Sequence, residues 1–235
     1  MIEWEDEGII VATKTHGENG KILSVLTESN GLYRGYCPGA QSKKKTAFIQ
    51  IGNQISLSWK SRLQDQLGQF KCESLYQTNA YIMNDYQALC AVQSACLMLD
   101  QLLPERSLLP HIYHGLEVLI KNMTHEGWQI LYIKWELELL KALGFGLVLD
   151  VCTVTGSKED LVAVSPNTGR AVCREVAMPY GDKLLQLPDF LLADKERSLD
   201  KENIQLGLNL TGHFLETHLF HPIGKIMPKI RYEII

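Results

Sequence analysis

The residues best suited to chemistry in this chain are a pair of cysteines, a cluster of histidines and a run of lysines. Cys152 and Cys173 close the two ends of "CTVTGSKEDLVAVSPNTGRAVC", a segment patterned like half of a zinc ribbon. A structural zinc takes four ligands, a closely spaced pair from each of two knuckles. The positions three residues beyond each cysteine hold Thr155 and Val176, and no histidine lies between residues 126 and 212 to replace them. Two thiolates alone hold zinc weakly. Cys152 and Cys173 therefore read as vestigial ligand positions, and neither a metal nor another cofactor is expected. The region "HFLETHLFH" offers His213, His218 and His221, but a zincin helix sets two histidines four apart with glutamate directly after the first. Here His213 and His218 are five apart and face different sides of a helix. A metal-dependent enzyme using these three histidines is the rival reading. Nucleophile elbow, phosphate loop and dinucleotide fingerprint are all missing, so no catalytic residue is nominated.

The lysines point elsewhere. Overall the chain carries a net charge of −4, yet residues 8–80 hold nine Lys/Arg against four Asp/Glu, and residues 81–235 hold fourteen against nineteen. The front third is a basic module on an acidic body. The candidates among its cations are Lys14, Lys21, Arg34, the triplet Lys43, Lys44 and Lys45, then Lys60 and Arg62, interleaved with Tyr33, Tyr36, Phe48 and Trp59. Charge for phosphates and rings for bases are what single-stranded nucleic acid asks of a protein. The bland alternative is solvated lysines around aromatics that fill a core.

Small β-elements must position these residues. "GIIVATKT", "KILSVLTES", "GLYRGYCPGA", "NQISLSWKSRL" and "GQFKCESLYQ" read as five short strands punctuated by glycines. That series predicts a small barrel of the OB type over residues 1–79, although an SH3-like barrel would read similarly. From residue 80 a helical stripe runs Ile82, Tyr86, Leu89, Val92, Cys96, Leu99, Leu103. After "LPERSLLP" a second helix opens at Pro110, and a third runs from Trp128 to a stop at Gly144. Residues 147–179 interrupt the helices with a hairpin, "DLVAVSP" returning as "RAVCREVAM". Helices resume in 180–235, with a short pair in "DKLLQLPDFLLAD" and a long helix in "SLDKENIQLGLNLTGHFLETHLF". The fold class expected is α+β: an N-terminal barrel, a helical domain over 80–146 and 180–235, and an inserted hairpin.

At 46% apolar and 21% charged, the composition is that of an ordinary globular chain. No apolar run is long enough to span a bilayer, and "MIEWEDEG" is acidic where a secretory signal is basic. A cytoplasmic location and reduced thiols are expected.

"WEDEGIIVATKTHGENGKILSVLTESNGLYRGYCPGAQSKK" resembles the N-terminal region of the bacterial DNA repair protein RecO family. "ELELLKALGFGLVLDVC", "SPNTGRAV", "LTGHFLETHL" and "MPKIR" resemble later parts of the same family in the same order. The resemblance implies an OB-fold domain, then a helical body interrupted by a zinc-finger-like hairpin. Many members carry two CxxC pairs there; this chain has lost half of those cysteines. It further implies a recombination mediator of the RecF pathway, cytoplasmic and nucleoid-associated, and not an enzyme. Such a protein would bind single- and double-stranded DNA, anneal complementary strands and, with RecR, help RecA displace single-strand-binding protein. The family grips the acidic C-terminal tail of single-strand-binding protein, for which Arg106, Lys121, Lys134 and Lys141 are the candidate rim cations. A pure protein-interaction adaptor is a third possibility.

Overall fold

A computed structural model describes residues 2–63, 66–192 and 200–235. The strands β1 (Ile2–His16), β2 (Gly20–Thr27), β3 (Gly31–Cys37), β4 (Gln54–Ser61) and β5 (Gly68–Tyr76) close a barrel in the order β1-β2-β3-β5-β4. β3 and β5 pair in parallel through Gly35 and Gly68, and the other neighbours are antiparallel. The acidic leader, absent from the predicted strands, is the first half of β1. Ile2 to Ile9 pair with Ser61 to Gln54 of β4, which closes the barrel. Alternation explains why the leader can do so: Glu3, Glu5 and Glu7 are more exposed than Trp4, which turns inward onto the Trp59 ring at 5.6 Å. Ile10, Leu23, Val25, Ile55, Leu57 and Phe70 fill the interior. Two glycines are required by close approach. A β-carbon on Gly68 would sit 2.2 Å from Trp59, and one on Gly35 would sit 2.7 Å from Phe70.

The expected single helix after residue 80 is two: α2 (Thr78–Ile82) and α3 (Tyr86–Leu102). Asp85 separates them because its carboxylate caps α3, accepting from the Ala88 N–H at 2.9 Å. α4 (Pro110–Lys121) begins at Pro110 as its residue type favours. The chain divides into two compact units, residues 1–124 with 228–234, and residues 125–227 with 235. The expected boundary at residue 79 thus falls inside the first unit, where α3 and α4 join the barrel. Thr78 Oγ1 donates to the Gly52 carbonyl at 2.8 Å, and Arg106 N–H to the Leu32 carbonyl at 2.7 Å.

In the second unit α5 (Trp128–Ala142) and α7 (Lys201–Phe214) pack together. Buried Glu136 of α5 accepts a short hydrogen bond from the Thr211 hydroxyl of α7. A π-helical turn, Leu215–Phe220, extends α7. The hairpin is there but shorter than predicted. β6 (Leu161–Val164) pairs with β7 (Ala171–Cys173), and Arg174–Ala177 turn into a short helix, α6. Expected as helix, "LQ" is instead a strand, β8 (Leu185–Gln186), which pairs with β6 and makes a three-stranded sheet. The end of the expected helical pair and the first residues of the long helix, 193–199, lie outside the described residues. Among the described residues no helix is long and apolar enough to cross a membrane.

Candidate nucleic-acid interface

The nominated cations separate into groups. Lys14 and Lys21 lie near the β1–β2 turn, where Lys14 pairs with Ile22 and Lys21 with Thr15. Directly opposed residues share a face, so these two neighbours project to opposite sides of the ribbon. The lysine triplet, expected in a loop, forms a one-turn helix, α1 (Lys43–Thr46), capped by Ser42. Gln41 fastens this segment to the β1–β2 turn. Its backbone N–H donates to the Asn19 carbonyl at 3.3 Å, and its side chain donates to the Gly17 and Gly20 carbonyls, each at 3.1 Å. Gln41 thus brings the lysine segment to the β1–β2 turn, with Lys43 and Lys44 exposed, while Lys14 and Lys21 stand on opposite faces of the ribbon that leads into that turn. Lys45 is partly withdrawn: its ammonium donates to the Pro38 carbonyl at 2.9 Å and lies 3.8 Å from Cys37 Sγ. The Cys72 thiol donating to Cys37, with help from that ammonium, outweighs burial and holds the Cys37 thiol down to about 7.

Two nominated cations are compensated by carboxylates. Arg34 pairs with Asp100 at 2.8 Å and also with Glu105, and donates to Ser24 Oγ at 3.1 Å. Partial burial opposes its charge, but the two carboxylates outweigh it and hold the guanidinium above its ordinary range. Arg34 is a clamp between the barrel and the α3 end. Lys60 lies 3.3 Å from Glu3 across the β1–β4 pair. Arg62 is exposed just beyond β4.

The aromatics divide as well. Trp59 and Phe48 are core residues, 2% and 7% exposed, so neither offers a face to a base. Tyr33 packs edge-on against Trp4 and Trp59 and carries Arg106 5.5 Å above its ring. Tyr36 stays half-exposed beside His16. Sequence reasoning passed over Lys71, which is exposed on β5; the alternation of Gln69, Lys71 and Glu73 outward against Phe70 and Cys72 inward was the available signal.

Of the four rim candidates, Arg106 sits over Tyr33, and Lys121 pairs with Glu117 at 2.8 Å, both in the first unit. Lys134 is half-buried on α5. Lys141 lines a cavity of about 790 Å³ whose apolar wall is Leu137, Leu147, Leu149, Leu161, Leu191 and Leu192. Lys158 is a second cation there, missed because it sits in the hairpin and not on a helix; Glu138, Asp150, Glu159 and Asp160 also line it.

The histidines do not converge. His213 Nε2 lies 3.3 Å from the Pro166 carbonyl, His218 stacks on Phe145 and Phe214, and His221 is exposed. Among the described residues no three His, Cys, Asp or Glu side chains come together as a metal's donors would. The rival enzyme reading has no donor set to stand on.

The five strands close a barrel and the rest of the chain is mainly helical; comparison with known proteins gives the family. A family model described as recombination protein O N terminal matches residues 1–78, and one described as recombination protein O C terminal matches residues 83–225. The DNA repair protein RecO of Caulobacter vibrioides is 38% identical over 231 residues, covering 98% of this chain and 92% of that protein. RecO of a Chelativorans species is 41% identical over 98% of this chain and 93% of its own length. RecO of Rhodospirillum rubrum is 37% identical over 100% and 96%. The chain belongs to the RecO family of DNA repair and recombination proteins.

Proposed function

We propose that this protein is a recombination mediator that binds single- and double-stranded DNA, anneals complementary strands and, with RecR, helps RecA load onto DNA coated by single-strand-binding protein. The observation that carries the reading is the exposed pair Lys43 and Lys44, whose segment Gln41 fastens to the β1–β2 turn. We read the barrel as an OB fold, in which the β1–β2 loop end is a customary place for oligonucleotides. Annealing makes and breaks no covalent bond. It needs phosphate repulsion offset while base edges stay free to pair, so the protein acts without catalytic residues. The leucine wall suits the apolar end of the tail of single-strand-binding protein. Lys158 and Lys141, the latter 3.7 Å from Glu138, are the cations that would meet its carboxylates among the four acidic side chains that also line the cavity. In the cell it works in the cytoplasm at the nucleoid.

Fluorescence titration with labelled single-stranded DNA at several salt concentrations tests the reading. The expected result is binding whose affinity falls steeply as salt rises. Absence of binding at low salt overturns it, and capture of the tail peptide without DNA affinity would make the protein an adaptor.

A further inference from the structure

Large apolar side chains crowd the surface just past the barrel: Leu75, Tyr81, Met83 and Tyr86 are all exposed. Apolar residues scattered singly over a surface are ordinary, whereas a contiguous patch of them marks a contact surface. One of these rings is organised by a neighbour. Tyr76, the last residue of β5, and Tyr81 of α2 stack with centroids 5.0 Å apart and planes 11° from parallel. Tyr76 is the half-buried member, and Tyr81 is 63% exposed. Tyr81 is therefore backed on one face and offers the other to solvent.

The stack stands beside the segment that carries the exposed lysines. Asn79, in the same short helix as Tyr81, donates its backbone N–H to Asn53 Oδ1 at 3.2 Å. Its side-chain amide donates to the Ile51 carbonyl at 3.0 Å and to Gln50 Oε1 at 3.1 Å. Gln50 Nε2 donates in turn to the carbonyl of Thr46, the last residue of α1, at 3.4 Å. Hydrogen bonds thus run from α2 to the end of α1, all within the first unit. On the other side Tyr76 is the register partner of Gln54, whose amide donates to Glu117 at 3.2 Å. Glu117 also accepts from Lys121, so that cation is offset by a carboxylate. Lys43 and Lys44 are left to supply the positive charge.

We propose that the outer face of Tyr81, backed by Tyr76, receives an unpaired base of single-stranded DNA while Lys43 and Lys44 meet phosphates of the same strand. The proposal rests on the DNA-binding reading above and answers a question it leaves: Trp59 and Phe48 are buried, so the bases need a ring outside the barrel. Every base has a π-face, which makes such a contact indifferent to sequence. Stacking occupies that face and leaves the pairing edge outward, where a complementary strand can reach it. In a duplex the neighbouring bases already cover both faces, so the ring selects for single strands. A neutral ring releases no counterions, and its contribution carries no salt dependence.

Anisotropy titrations of the full-length protein test this with three labelled ligands of equal length: a thymidine oligonucleotide, an abasic strand and a duplex. Tyr81→Ala should weaken binding of the thymidine strand about tenfold. It should leave the salt slope, the abasic strand and the duplex unchanged, and Tyr81→Phe should bind as the parent does. An equal loss on all three ligands overturns the proposal. So does an unchanged affinity for the thymidine strand, which would make the exposed run a protein-contact surface while the lysine reading stands. If the parent protein binds none of the three at low salt, the DNA-binding reading itself falls and takes this inference with it.

Discussion

Replacing Lys43 and Lys44 together with alanine separates a DNA-binding end from a merely charged one. Both side chains are exposed on a one-turn helix and neither fills the core, so the fold should survive the change. On single strands each phosphate contact contributes a slope of about 0.7 in log affinity against log salt. Two lost contacts make the slope shallower by about 1.4. Near physiological salt the same loss weakens binding about tenfold, or ~1.4 kcal/mol. Arg34→Ala is the internal control, because its guanidinium is occupied by Asp100 and Glu105. It should leave the salt slope unchanged while lowering stability by roughly 1–2 kcal/mol, since both pairs are partly exposed and solvent screens them. Titrations at four or more salt concentrations, with urea unfolding of each variant, read both quantities. Should Arg34→Ala flatten the slope while the double lysine variant leaves it intact, the assignment of the DNA-facing end is wrong.

Other substitutions probe separate parts of the reasoning. Gly68→Ala drives a β-carbon into Trp59 and should destabilise the barrel by about 1–3 kcal/mol, seen as a lowered thermal midpoint with altered tryptophan emission. Glu117 is held below the ordinary carboxylate range, chiefly by its bond from Lys121. A depressed carboxylate contributes stability above its unfolded pKa and loses it as pH falls through the folded value. Glu117→Gln should therefore cost stability at neutral pH and shrink the loss between neutral and acid, measured by urea unfolding at several pH values. Lys158→Glu should weaken binding of an acidic, Phe-ended peptide to the leucine-walled cavity without changing DNA affinity.

The strands and long helices were legible because their signals are local: glycine spacing, alternation, and stripes at helical period. What escaped depends on partners distant in sequence. The acidic leader lies outside the strands that the sequence predicts, because the β4 residues it pairs with are distant along the chain. Leu185–Gln186 read as helix on apolar content, whereas β6 recruits it as a strand edge. Charge counting found the basic module but could not tell Lys43 from Arg34. Their difference lies in Asp100 and Glu105, far along the chain, and in the capture of Gln41 by a turn that precedes it. Trp59 and Phe48 suggested stacking surfaces by type alone, and burial assigns them to the interior.

The hydrogen bond from Arg106 to Leu32, the Arg34 clamp and the Gly31 turn bear on how this protein can be cut apart. A β-carbon on Gly31 would meet the Ser107 carbonyl oxygen at 2.3 Å, and one on Gly52 would meet Val92 at 2.3 Å. The barrel wall is thus moulded to α3 and to the connection that follows it. Excising residues 1–79, where the family descriptions would invite the scissors, would bare that moulded surface and strand a guanidinium; chimeras between relatives should instead carry the first two long helices along as luggage.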